Sequence, residues 1–123
     1  MLGRLHHVIF DCPDPKALAL FYSALLGNPI TYDSEDFVVV AGNDTSSGLA
    51  FQLAPNHRRP TWPSSEVPQQ IHLDVMVENV LEAVPHVLAL GATKLDGEDV
   101  FADPAGHPFC LIKRPGWATP IGV

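Results

Sequence analysis

At 123 residues, with 46% hydrophobic and 17% charged side chains, the chain can bury one core and is too apolar to be disordered. Fourteen acidic against seven basic residues give a formal net charge of -7, which argues against nucleic acid, whose affinity rests on Lys and Arg facing phosphates. No apolar run approaches the roughly 18 residues of a membrane-spanning helix. The two cysteines, Cys12 and Cys110, make no disulfide framework, and the opening MLGRLHHVIFDCPDP lacks the long apolar centre and small-residue cleavage site of a secretory signal. A cytoplasmic location is the expectation.

The first element is a strand, His7-Val-Ile-Phe-Asp-Cys12, with two-residue alternation. A helix follows: Asp14 is its N-cap, Pro15 suits its first position, Ala17, Leu18, Phe21, Leu25 and Leu26 recur at helical spacing, and Gly27 stops it. The Phe21-Tyr22 pair reads as core. Two short strands are expected at about 30–32 and 37–41, and a closing strand at Gly48-Leu-Ala-Phe-Gln-Leu53. The stretch 54–68, with four prolines, is a linker, and its Trp62 either covers a pocket or packs the linker down.

The second half repeats the first. His72-Leu-Asp-Val-Met-Val77 is a strand and 78–90 a helix stopped by Gly91. Pro85 predicts a kink or a late start near it, because a mid-helix proline loses a hydrogen bond and clashes with the preceding turn. Short strands are expected at about 94–95 and 100–102. The closing stretch Gly106-His-Pro-Phe-Cys-Leu111 shares G-x-x-F-x-L with Gly48 to Leu53. The fold class is therefore α+β: two tandem βαβββ modules forming a mixed curved sheet around a central cleft. The expected organisation is a single domain over 1–123, with module one at 5–53, the linker at 54–68, module two at 70–112 and a C-terminal tail at 113–123.

Alternation assigns the faces. Val8, Phe10, Cys12, Phe51 and Leu53 lie against the first helix; Leu73, Val75, Val77, Phe109 and Leu111 lie against the second. The other face carries His7, Ile9, Asp11 and Gln52 in one module and His72, Asp74, Met76 and Cys110 in the other. His7 with His72, and Gln52 with Cys110, come from equivalent places, and two imidazoles with two further donors form a metal-like constellation. Ile9, Asp11, Trp62, Asp74 and Met76 are the candidate ligand contacts. Asp11 and Asp74 could act as a base or pair with Arg4 or Arg114. His6 is sent to the opposite face from His7, and His107, in the turn after Gly106, is expected to be exposed.

The stretches His7…Asp14…Phe21-Tyr22…Leu26-Gly27, Gly91-Ala92-Thr93 and Asp103-Pro-Ala-Gly106-His-Pro-Phe109-Cys110-Leu111 resemble the vicinal oxygen chelate superfamily of glyoxalases, bleomycin resistance proteins and dioxygenases. The tail looks most like its glyoxalase-like branch. The resemblance implies paired modules, a small-molecule site between them, often a homodimer, and in metal-using members four ligands from the first and last strands. Those positions are His7, Gln52, His72 and Cys110 here. Gln52 stands where a carboxylate is common, and Cys110 where Glu is usual. Such a set suits a divalent zinc ion better than Mn, Fe or Mg, which prefer hard oxygen ligands; nickel is a further candidate.

Two functions remain open on these residues. One is an enzyme, a metal-assisted lyase, isomerase or dioxygenase whose Lewis acid is chelated by adjacent substrate oxygens. The other is a metal-free protein that sequesters a drug or aromatic ligand, supported by Cys110 in the Glu position and by Ile9 and Met76 on the ligand-facing side.

Overall fold

A computed structural model describes residues 1–122. The chain divides into two compact units, Met1–Arg58 and Arg59–Val123, and the boundary falls within the linker. The fold is α+β, with two mixed four-stranded sheets.

In the first unit the order is β1 (His7–Cys12), α1 (Pro15–Leu26), β2 (Ile30–Asp33), β3 (Phe37–Val40) and β4 (Gly48–Leu53). The sheet order is β1-β4-β3-β2. β4 runs parallel to β1 and antiparallel to β3. A parallel neighbour cannot be joined by a tight hairpin, so α1, β2 and β3 supply the crossover. The caps of α1 are those the sequence predicts. Asp14 Oδ1 accepts the Ala17 N–H at 3.1 Å, and Gly27 takes the left-handed conformation at φ 73° while its N–H donates to Ser23. Phe10, Cys12, Val38, Val40 and Phe51 are buried, as are Leu18, Phe21 and Tyr22 of α1. Tyr22 stacks on Phe51 at 5.4 Å and Phe10 meets both rings at 5.4–5.5 Å. Each such pair contributes about 0.5–1.5 kcal/mol beyond its buried area. Leu53, expected on the helix side, is 36% exposed, because it ends the strand.

The second unit repeats the plan with β5 (Leu73–Val77), α2 (Val80–Ala89), β6 (Thr93–Lys94), β7 (Val100–Ala102) and β8 (Pro108–Lys113), in sheet order β5-β8-β7-β6. Val75, Val87, Phe101, Phe109 and Leu111 form its core. Pro85 does not delay the helix. Asn79 caps it by accepting the Glu82 N–H at 3.1 Å, and the helix runs through the proline. The missing N–H removes the bond to the Leu81 carbonyl, and Leu81 is 85% exposed, so water can take that carbonyl.

His107 is not exposed. It is 1% accessible, and so is Asp103. One Asp103 carboxylate accepts the N–H groups of Ala105 (2.9 Å) and His107 (3.0 Å) and meets His107 Nδ1 at 2.9 Å. Gly106, at φ 97°, permits the turn, and the carboxylate draws the imidazole inward from a position that local sequence marks as a surface turn. Among the described residues, no helix is long and apolar enough to cross a membrane.

Candidate functional site

In the second unit, His72 immediately precedes β5 and Asp74 lies within it. They are one alternation apart, on the side opposite the buried Val75. The parallel ladder puts Asp74 directly beside Cys110 of β8. His72 Nε2 is 3.2 Å from Cys110 Sγ and 3.5 Å from Asp74 Oδ1. Single donor atoms of the three residues all lie within 4.8 Å of one another. Around a tetrahedral zinc ion, bond lengths of about 2.0–2.3 Å place neighbouring donors roughly 3.4–3.6 Å apart. The two distances from His72 Nε2 are close to that spacing, and imidazole, carboxylate and thiolate are all zinc ligands. Burial first, and then the nearby carboxylates of Asp74 and Asp99, push the Cys110 thiol above its ordinary range. A cation among the same three residues would reverse that by favouring the thiolate. Asp74 was legible as a ligand contact but not as a metal donor. Its signal was the H-x-D spacing, which became decisive only with Cys110 beside it.

In the first unit, His7 lies beside Gly48 and Asp11 beside Gln52. His7 and Gln52 are thus four residues apart along parallel strands, about 13 Å, and Gln52 has Asp11 rather than His7 as its neighbour. The two equivalences read from the repeat are also out of step. If His7 matches His72 and Gln52 matches Cys110, residue 72 should lie beside residue 106. The observed ladder, Leu73 beside Phe109, puts it beside 108. A two-residue shift keeps the face but moves the side chain roughly 7 Å along the strand.

His7 is partly buried, and its Nδ1 accepts the Gly48 backbone N–H at 3.1 Å. Gly48 has no room for a side chain, since a Cβ would lie 2.2 Å from the Val40 carbonyl oxygen. Burial, and then the neighbouring His6, hold His7 below the usual imidazole range. His6 does not turn to the opposite face. It precedes β1, so alternation does not bind it, and its ring centroid is 4.0 Å from that of His7. The two histidines line a cavity of about 380 Å³ with Tyr32, Phe37 and Val39.

Ile9, Asp11, Asp74 and Met76 are all exposed, as alternation requires of the faces away from the helices. The Trp62 indole N–H donates to the Asp96 carbonyl at 2.6 Å, which ties the linker down onto the second unit. Arg114 pairs with Glu78 rather than with Asp74.

The pattern of the glyoxalase-like domain matches residues 7–112, from the first strand of one module to the last strand of the other. The chain belongs to the glyoxalase-like domain family. Its fold is the vicinal oxygen chelate fold shared by many solved structures. A glyoxalase-related enzyme from Fulvimarina pelagi is 21% identical at a TM-score of 0.66, with 98% of this chain and 94% of that one covered. A glyoxalase/bleomycin resistance protein/dioxygenase family enzyme from Burkholderia phytofirmans PsJN is 18% identical at 0.67, covering 90% and 98%. The trypanothione-dependent glyoxalase I of Leishmania major is 17% identical at 0.59, covering 90% and 86%. No curated protein matches the sequence. At these identities the glyoxalase-like likeness extends to the fold.

Proposed function

We propose that this chain is a zinc-dependent small-molecule enzyme of the glyoxalase/bleomycin resistance/dioxygenase superfamily, with His72, Asp74 and Cys110 holding the ion. The observation that carries the reading is the approach of three chemically suitable donors within 4.8 Å. When bound, zinc supplies a Lewis acid that polarises a substrate oxygen. Three protein ligands are the number that leaves a coordination position for substrate or water in catalytic zinc sites. Exposure of His72 and Asp74 leaves that side open to a ligand, and Met76, next on the same face, offers it a soft apolar contact. A cytoplasmic homodimer is the accompanying expectation, since two-fold dimers are the commonest assembly.

Zinc titration against a competing chromogenic chelator tests this. The wild type should bind one zinc per chain at micromolar affinity or tighter, and His72→Ala and Cys110→Ser should each weaken it at least tenfold. A wild type that binds no zinc at micromolar concentration refutes the reading. His7→Ala decides between this triad and the four-ligand set of His7, Gln52, His72 and Cys110. A loss under threefold supports the triad, and a loss above tenfold supports the larger set.

A second reading, a metal-free binder of an aromatic or drug-like molecule, is favoured by the cavity that Tyr32, Phe37 and Val39 line in the first unit. A thermal-shift screen with aromatic compounds in the presence of a chelator tests it. Stabilisation at the same ligand concentration with and without zinc supports it, and no shift from any compound refutes it.

A further inference from the structure

We propose that His7 is not a metal ligand but a neutral Nε2–H donor, which selects an oxygen acceptor on a flat apolar molecule in the cavity of the first unit. The inference rests on the small-molecule reading above and names the group that would recognise the ligand there.

The argument starts from one hydrogen bond. A backbone amide always carries its proton, so the Gly48 N–H 3.1 Å from the His7 ring must meet an acceptor. The only acceptor an imidazole has is an unprotonated nitrogen. Nδ1 therefore holds the lone pair, and in the neutral ring the proton belongs to Nε2. A histidine ligates metal through a lone pair. With Nδ1 committed to Gly48, ligation through Nε2 would require the proton to move to Nδ1, where two N–H groups would then face each other. Nδ1 itself is occupied by the amide.

The lock is built into the fold. Gly48 lies beside His7 in the parallel ladder. The ladder pairing of β1 with β4 holds the amide in place, and the Val40 carbonyl leaves no room for a side chain at Gly48. Burial and the adjacent His6 both disfavour the imidazolium, which would break the same bond. His72 differs: its Nε2 faces a thiol and a carboxylate, the surroundings of a metal ligand.

What remains for His7 is donation. Its ring lines a cavity of about 380 Å³ whose other walls are His6, Tyr32, Phe37 and Val39. Aromatic and aliphatic carbon favour a flat apolar body, and the fixed Nε2–H of His7, with the Tyr32 hydroxyl and the His6 ring in the same lining, favours a carbonyl or carboxylate oxygen over an ammonium.

Long-range nitrogen–proton NMR of the histidine rings, on the full-length chain with and without one equivalent of zinc, tests the tautomer. The His7 pattern should show a protonated Nε2 and a bare Nδ1, unchanged by zinc, while His72 responds. A His7 ring protonated at Nδ1, or one whose Nε2 loses its proton when zinc is added, overturns the inference. The probe for the ligand is 1-naphthoate, with 1-naphthylmethylamine as the control. Naphthoate should shift the His7 Nε2–H resonance and bind at least fivefold more weakly to His7→Phe, and the amine should bind at least fivefold more weakly than naphthoate. Equal binding of the two probes, no binding at millimolar concentration, or an unchanged His7→Phe affinity overturns the ligand assignment. The wild-type spectra stand even where the variant folds poorly. A protein that binds no zinc yet keeps the Nε2–H pattern and the naphthoate response refutes the zinc reading alone.

Discussion

Asp103→Ala should be the most destabilising single change in the second unit outside its apolar core. The carboxylate is 1% accessible and serves three donors: the amides of Ala105 and His107 and the His107 ring nitrogen. Truncation removes all three of these hydrogen bonds in the interior. Each unsatisfied buried donor costs about 1–3 kcal/mol, but the losses are not additive because the turn can relax and admit water. A net cost of about 3–4 kcal/mol follows, comparable to breaking a buried polar pair. Asp103→Asn keeps one carbonyl oxygen for the amides but turns an NH2 donor in place of the second oxygen toward His107, so about 1–2 kcal/mol is expected. Both tryptophans, Trp62 and Trp117, belong to this unit. Urea unfolding followed by their fluorescence therefore reports the unit that contains the mutation. With an m-value of about 1.5 kcal/mol/M, Asp103→Ala should lower the midpoint by about 2 M or more, and Asp103→Asn by about 1 M. An Asp103→Ala protein within 1 kcal/mol of wild type would refute the claim that this carboxylate organises the turn. The turn also leads directly into β8, so loss of zinc affinity should accompany loss of stability.

Gly48→Ala places a Cβ against the Val40 carbonyl, with no flexible side chain to yield, and should cost about 2–3 kcal/mol by urea unfolding followed by circular dichroism. Glu78 accepts hydrogen bonds from Arg114 and from the Ile121 amide, and these hold its carboxyl below the usual range, with the Arg114 hydrogen bond the largest cause. A depressed folded value means that the stabilisation is present above the unfolded value, about 4.3, and is lost as pH falls through the folded one. The segment after Lys113 should therefore become more sensitive to an acid-active protease below about pH 4. Glu78→Gln should show that sensitivity already at pH 6, and equal cleavage of the two proteins at pH 6 would refute the anchoring role.

The order of elements and the facing of side chains were local properties, and the sequence alone determined them. Two βαβββ modules, the Asp14 cap, the Gly27 stop and the division of β1 into Phe10 and Cys12 inside, Ile9 and Asp11 outside, follow from periodicity and from the conformations each residue can adopt. Position along a strand was another matter. Alternation tells which face a residue takes but not which residue of a distant strand lies beside it. That register is set by how the crossover helix packs, so only the tertiary structure could put Cys110 beside Asp74, and Gln52 beside Asp11 instead of His7. The same limit hid the hydrogen bond from Gly48 to His7, which couples residues 41 positions apart, and it is the reason two histidines in matching sequence contexts now have different chemistry. His107 shows the limit at short range: a residue that local sequence marks as exposed lies inside because its amide and its ring nitrogen both bond to the buried Asp103 side chain.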